Sequence, residues 1–275
     1  MKGCVYFHQG WTDLIICLPL IDYYLKTYSE LSVILRSDAK EFTDFYLLGK
    51  QNVTPIYVKT DNGRYYGNFV KENVENIQYY QNGDGGLIVV PNEYDILFHA
   101  EHDRFRTDRY NQYWYKNNPD SKLARHFSES FYTFYDIPYE NRITNFNLNR
   151  DYDLENKTYE DFTKVNGSNY VLYHDDESNH IHGSLHVSTK INFETVIEGC
   201  EYVNLNKMSS IFFDYIKILE NAKEIHLVDS IWAGICYSLD AKYGLFKDIK
   251  VYLYNKRGHR FMFENPFKLN NWEII

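Results

Sequence analysis

The strongest constraint on this chain lies at its start, where a short apolar run stops at a polar turn and an apolar segment of helical length follows. Cys4-Val5-Tyr6-Phe7 supplies the run, His8-Gln9-Gly10-Trp11-Thr12-Asp13 the turn, and Leu14 to Ile21 the apolar segment. A buried strand feeding a helix in an open α/β sheet has this pattern, and such sheets bind ligands at the carboxyl ends of their strands. Thr12 is placed as the N-cap and Asp13 in the first helical turn. Apolar periodicity predicts further strands over 31–35 and 52–59, with helices over 12–28 and 39–48. Elements alternating at this spacing pair their strands in parallel through right-handed crossovers.

The pattern weakens from Asp61 to Gly86, where Asn-Gly and Asp-Gly pairs signal turns. Leu87 to Val90 and Tyr94 to Phe98 read as short strands near a sheet edge, and Lys122 to Tyr135 as a helix. Residues 146–168, rich in Asn, Asp and Glu, are expected to form a linker with one helical piece from Leu154 to Val165. The strand pattern then restarts at Tyr170–Tyr173, Glu201–Leu205, Glu224–Val228 and Asp248–Tyr254, each run ending in polar residues. Ser209 or Ser210 caps a helix from Ile211 to Glu220, and Ile231 to Tyr243 forms another. The expected fold is α/β, with two Rossmann-like doubly wound units facing across a cleft. Residues 1–145 form the first unit and 169–260 the second; 261–275, without a strand partner, packs back at the junction.

A net charge of −9 gives the chain no electrostatic footprint of a nucleic-acid binder. Cys4, Cys17, Cys200 and Cys236 sit in apolar runs without paired short spacing, as expected of buried thiols in a reducing compartment. No apolar stretch reaches membrane-spanning length and no signal peptide is evident, so the expected location is cytoplasmic. The 27 Tyr and 18 Phe are read first as packing material, because aromatic content alone does not define a site.

Asp13 followed by apolar residues and Leu18-Pro19 resembles the opening motif of GT-B glycosyltransferases of the lipopolysaccharide heptosyltransferase kind. Thr12 stands where that family has Gly. Downstream, Val228-Asp229-Ser230 opening the Ile231-Trp232-Ala233-Gly234 helix is similar to the family's Asp-Thr-Gly turn near the donor phosphates. Here Ser230 takes the Thr position, Ile231 replaces the Gly, and the His that usually follows is absent. The opening motif more distantly resembles some fucosyltransferases. The resemblance implies a metal-independent, inverting transferase of polysaccharide biosynthesis. It would move a sugar from a nucleotide-diphosphate donor to a glycan or glycoconjugate acceptor, with no separate cofactor.

The residues fit that chemistry. Glycosyl transfer needs a base at the acceptor hydroxyl and positive charge or dipoles on the departing diphosphate. Asp13 is the family-like base, and His8, at the end of the first strand, competes with it. Gln9, Gly10, Trp11 and Thr12 complete the acceptor-side loop, Gly10 allowing close backbone approach. On the donor side stand Asp229, Ser230 and Ile231 at a helix start, with Lys207, Lys256 and Arg257 supplying positive charge from strand ends. His174 and Asp175 end another strand of that unit and are candidates to orient the donor sugar or ribose. Each has a plainer alternative: Ser230 as an ordinary N-cap, Asp13 as a helix-dipole partner, His174-Asp175 as a solvated turn.

Other signals are weaker. His180, His182 and His186 lack a further ligand, so no metal is expected there. Asp151-Tyr152-Asp153 has the D-x-D form of GT-A metal sites but follows no apolar strand, and Asn82 to Gly86 lacks the Lys and Ser/Thr of a P-loop. Two other classes remain open: a non-catalytic GT-B-like nucleotide- or sugar-binding protein, and a nucleotide-sugar epimerase on the same frame.

Overall fold

The computed structural model describes residues 1–7, 11–58, 77–81, 87–91, 95–99, 129, 131–132, 137–175, 190–193, 196–208, 212–228, 230–254 and 269–275. For 6, 11–13, 58, 77–81, 87–91, 95–99 and 207 the description covers the backbone alone. The chain divides into two compact units, Met1–Asn147 and Leu148–Ile275.

In the first unit, β1 (Lys2–Tyr6), β2 (Glu30–Arg36), β3 (Val53–Val58) and β6 (Asp95–His99) form a sheet of order β3-β2-β1-β6, every pair parallel. Five consecutive residues of β2, Leu31 to Leu35, are buried, as an interior parallel strand covered on both faces requires. Between β3 and β6, β4 (Ile77–Gln81), which the sequence reading did not contain, pairs antiparallel with β5 (Leu87–Pro91), where a short strand was expected, as a separate ribbon.

The predicted helix over 12–28 is instead two short helices, α1 (Trp11–Cys17) and α2 (Pro19–Tyr24). Pro19 has no N–H to offer the carbonyl of Ile15, so the ladder is interrupted there. Tyr132 Oη donates to Ile16 O at 2.6 Å beside this break. Burial holds that phenol's pKa well above its ordinary value, so it stays a donor. Leu14 to Leu18 are at most 1% exposed, and full burial of each aliphatic side chain is worth about 1.5–3 kcal/mol. α1 is thus a core helix.

The predicted 39–48 helix divides into a 3-10 turn, Ser37–Ala39, and α3 (Lys40–Leu47). Asp22 of α2 binds Lys50 Nζ at 2.7 Å and Tyr46 Oη at 2.8 Å, while Lys50 also reaches Asn147 O at 3.1 Å. α4 (Asn141–Thr144) follows Pro138 and packs on α2, with Lys26 Nζ bonded to Asn145 Oδ1 at 2.6 Å.

The second unit begins before the expected boundary. Within the predicted 146–168 linker, α5 (Tyr152–Asn166) is a regular helix whose N-cap, Asp151, accepts from Leu154 N at 3.0 Å. That bond accounts for Asp151 in the D-x-D signal as a capping residue. Phe162 of α5 packs edge-on against Tyr170, centroids 4.8 Å apart, and Arg150 ties Glu155 to Glu220. These contacts make the segment part of the second core.

The second sheet comprises β7 (Tyr170–His174), β8 (Glu201–Asn204), β9 (Glu224–Val228), β10 (Lys250–Tyr254) and β11 (Trp272–Ile274), in the order β11-β10-β9-β7-β8. All its pairs are parallel. Within this unit the order reads 2-1-3-4-5, a doubly wound sheet that changes direction between its first and third strands. β11 corrects the expectation for 261–275: the last residues add a strand to this sheet, Val251 opposite Trp272. Asp240 explains the attachment, accepting from Trp272 Nε1 at 2.8 Å, Asn271 Nδ2 at 2.9 Å and Phe246 N at 2.8 Å.

The predicted helix over 211–220 is a 3-10 turn, Phe212–Tyr215, followed by α6 (Ile216–Glu220). α7 (Ile231–Tyr243) spans the expected residues and is buried from Trp232 through Asp240. Gly244 ends it in the left-handed region at φ 65, donating its N–H to Asp240 O at 2.7 Å.

Tyrosine does much of the packing: Tyr46, Tyr132, Tyr170 and Tyr237 are among the largest fully buried side chains. None of the four cysteines forms a disulfide; Cys4, Cys17 and Cys236 are buried. Burial pushes the Cys4 thiol up to about 12 and raises Cys236 as well.

Candidate functional site

The described candidate residues converge on the carboxyl edge of the second sheet. β9 ends at Val228 and α7 begins at Ile231, with Ser230 in the N-cap position at φ −156, ψ 179. An extended N-cap serine ordinarily accepts from an N–H of the first helical turn. Ser230 does not: its side chain makes no capping bond, it is 4% exposed, and its Oγ has no hydrogen-bond partner.

The first intrahelical bond of α7 is Gly234 N to Ser230 O at 3.1 Å, so Ile231, Trp232 and Ala233 have no intrahelical acceptor for their N–H groups. No acidic side chain lies in the first turn. The positive end of the helix dipole, three backbone donors and a buried hydroxyl therefore coincide at one place, which is the chemistry of an anion site. Phe212 and Tyr215 fix this end by packing edge-on against Trp232, with centroids 4.9 Å and 6.1 Å away.

β7 lies beside β9, with His174 opposite Leu227, so Asp175 comes level with Val228. The order of the sheet puts this edge at its switch point, where doubly wound sheets bind ligands. His174 is 6% exposed. Asp175 is held in place: Asn204 Nδ2 donates to its Oδ1 at 2.6 Å and Asn206 Nδ2 to its backbone O at 2.9 Å. Asn204 Oδ1 in turn accepts from Asn206 N at 2.8 Å, setting the 3-10 turn Leu205–Lys207 that brings the Lys207 backbone to the same edge.

The other candidates are distributed differently. In the first unit α1 begins at Trp11, so Thr12 is a helical residue rather than the N-cap, and Asp13 remains in the first turn. The side chains of Trp11, Thr12 and Asp13 lie outside the described set, as do His8, Gln9, Gly10, Asp229, Lys256, Arg257 and the Lys207 side chain. The same holds for His180, His182, His186, Asn82 to Gly86 and most of the helix predicted over Lys122 to Tyr135. Among the described residues, no group of three or more His, Cys, Asp or Glu could hold a metal ion.

Two titratable groups escaped the sequence reading. Asp214 sits in the 3-10 turn that packs on α7, and its Oδ1 is buried without a hydrogen-bond partner. Burial, then the charges of Asp151 and Glu155, push this carboxyl up to about 6. His226, in the middle of β9, is stacked on Tyr252 at 4.6 Å and edge-on to Phe193 at 5.1 Å. Its Nε2 lies 3.2 Å from Glu224 Oε2 and its Nδ1 3.0 Å from Tyr254 Oη. Burial lowers the imidazole pKa, which favours the neutral ring. A neutral ring that donates to Glu224 must accept from Tyr254, so this chain locks β9 to β10. Neither residue lies in a motif; only the register of the strands and the packing of the turn reveal them.

No protein-family model matches the chain, and no curated protein matches its sequence. Among solved structures it is similar to one described as the crystal structure of the glycosyl transferase family 9 from Veillonella parvula DSM 2008. The match covers 100% of this chain and 85% of that one, at 7% identity and a TM-score of 0.48. Among the described residues, no helix is long and apolar enough to cross a membrane.

Proposed function

We propose that this chain is a glycosyltransferase that takes a sugar from a nucleotide-diphosphate donor and passes it to a hydroxyl of a glycan or glycoconjugate. The observation that carries the reading is Ser230. It is a buried hydroxyl without a partner, at the start of a buried helix, on the switch-point edge of a doubly wound sheet. A buried hydroxyl left without a hydrogen bond costs roughly 1–3 kcal/mol, and a ligand oxygen would offset that cost. The motif around Ser230 and the one around Asp13 and Leu18-Pro19 support the same reading from the sequence.

In this reaction the base takes the proton from the acceptor hydroxyl as its oxygen bonds to the anomeric carbon. The bond from that carbon to the diphosphate oxygen breaks on the opposite side, inverting the centre. Asp13 is assigned as the base, with His8 as the competing candidate. The charge left on the diphosphate is taken up by the N–H groups of α7 and the Ser230 hydroxyl, aided by Lys207, Lys256 and Arg257. The helix end does the work a metal ion does elsewhere, so a chelator is expected to leave transfer unchanged.

Calorimetry with UDP, GDP, ADP and CMP tests the first requirement. One of them should bind at micromolar to low millimolar concentration. Absence of binding by every member of the panel at millimolar concentration would sink the proposal.

A further inference from the structure

One four-residue turn touches both the anion-binding end of α7 and the acidic end of α5. Its first and last residues, Phe212 and Tyr215, pack edge-on against Trp232, with ring centroids 4.9 Å and 6.1 Å away. Trp232 is the second residue of α7, and its N–H is among the donors left without an intrahelical acceptor. Between Phe212 and Tyr215 in the chain stands Asp214, whose Oδ1 is buried without a hydrogen-bond partner. The turn also packs on α5, where Asp151 and Glu155 raise the cost of a charge on Asp214.

A charged oxygen in that position has given up its hydration without gaining a donor, and like charges nearby add to the penalty. The described cations of this region are committed elsewhere. Arg150 binds Glu155 at 2.9 Å and Glu220 at 2.7 Å, while Lys217 of α6 binds Asn156 Oδ1 and lies over the Tyr159 ring. On the α7 side the turn meets Trp232 and a first helical turn with no acidic residue. Burial, and then Asp151 and Glu155, accordingly bring the Asp214 carboxyl up to about 6. The turn that steadies the anion-binding helix therefore carries a group that changes charge near neutral pH.

We infer that Asp214 is a positioning residue for the phosphate site: protonated, it lets the turn seat Phe212 and Tyr215 against Trp232, and charged, it presses the turn away from that seat. The inference rests on the proposed donor site and adds a regulation to it. Linkage runs both ways, so an anion held at Ser230 makes Asp214 hold its proton more tightly. Phosphate affinity is then highest where the carboxyl is protonated and is lost as pH rises through about 6.

The test is calorimetry between pH 5 and pH 8 with the best-bound nucleotide of UDP, GDP, ADP and CMP, titrated into the full chain, Asp214→Asn and Tyr215→Leu. Protonation of the ligand itself cancels when two chains are compared at the same pH. Asp214→Asn imitates the protonated carboxyl. It should bind as the unaltered chain does at pH 5 and about fivefold more tightly at pH 7.5, the low end of coupling between two sites. Tyr215→Leu keeps the carboxyl but removes one of the rings on Trp232, so most of the pH dependence relative to Asp214→Asn should disappear. A measurement without substitution uses the sugar conjugate of the same nucleotide, whose phosphates do not titrate in this range. Calorimetry at pH 6 in buffers of different ionisation heat should count about a third of a proton taken up per ligand bound, the amount a fivefold coupling requires.

A ratio of affinities between Asp214→Asn and the unaltered chain that stays constant with pH overturns the inference, and so does binding without proton uptake. Full pH dependence in Tyr215→Leu also overturns the positioning role, because the charge would then act on the ligand directly. The proton count needs no variant, so a misfolded one does not obscure the result. If the unaltered chain binds none of the nucleotides, both the donor site and this inference fall. If it binds one of them without linkage to Asp214, only this inference falls.

Discussion

Both units start a helix at the carboxyl end of an interior parallel strand, β1 into α1 and β9 into α7, yet the first helical turns carry opposite chemistry. α1 has Asp13 in its first turn; α7 has no acidic residue there and is preceded by the unpartnered hydroxyl of Ser230. A carboxylate at a helix N-terminus compensates the dipole and repels phosphate, whereas an uncompensated N-terminus attracts it. The same local fold therefore yields two functions according to one or two side chains. Sheet order adds a second contrast, because β4 and β5 stand apart as an antiparallel ribbon while every described strand of the second unit joins one sheet.

The largest effect expected is on transfer itself. Asp13→Ala should slow sugar transfer by roughly 10²–10⁴, the usual contribution of a general base, while the affinity for nucleoside diphosphate stays within twofold. A gain in nucleotide affinity on removing that charge would reverse the assignment and make α1 the phosphate end.

A second effect separates the units by stability. Asp240→Ala leaves Trp272 Nε1 and Phe246 N without their acceptor, while Asn271 Nδ2 keeps Phe246 O and Ile249 O. Hydrogen bonds to a charged group contribute about 1.5–3 kcal/mol each, and with partial replacement by water the total loss should be about 3 kcal/mol. Urea unfolding should show that loss in the second unit alone; a matching loss in the first would mean that the two unfold as one.

Ser230→Ala gives a smaller effect with an informative sign. An ordinary N-cap serine loses about 1 kcal/mol on truncation. Here no capping bond exists, so thermal stability should hold or rise slightly while nucleotide affinity falls about tenfold. A fall in stability with unchanged affinity would return Ser230 to the role of a plain cap and erase the contrast with α1.

The smallest effect is a pH dependence confined to the second unit. Asp214 titrates near 6 in the fold against an ordinary 3.8. The folded state thus binds the proton more tightly, and its stabilising contribution is complete below about pH 4 and lost as pH rises through 6. Asp214→Asn removes this slope. Because Asp214 is only partly buried, solvent screening should hold the gain at pH 7 to roughly 1 kcal/mol or less. Melting curves of the variant and unaltered chain at pH 4 and pH 7 test it, and parallel curves at both would place the carboxyl in solvent.

Much of the α/β plan was legible because buried parallel strands are apolar on both faces. The runs at Leu31–Leu35, Tyr170–Tyr173 and Glu224–Val228 lie within observed strands, and Ile231 to Tyr243 is a helix as read. What escaped depends on long-range partners. Nothing in Trp272-Glu273-Ile274 marks a strand; Asp240, about thirty residues away, recruits it through side-chain bonds. Polar α5 looked like a linker because its attachment is carried by Phe162 and Arg150 rather than by a broad apolar stripe. At the site, the motif pointed to Ser230, but only the structure shows that its hydroxyl fails to cap. The Asp175–Asn204 bond needed the adjacency of β7 and β8, which spacing alone does not provide.

The buried thiols give each unit its own clock. Cys4 and Cys17 lie within the first core and Cys236 within α7, while Cys200 is only half covered. A thiol so enclosed reacts only when its surroundings open. A thiol-specific reagent should therefore mark Cys200 at once and the others at rates set by local unfolding. Peptide mapping of the labelled chain would give the opening free energies of the two cores side by side under native conditions, with no residue changed.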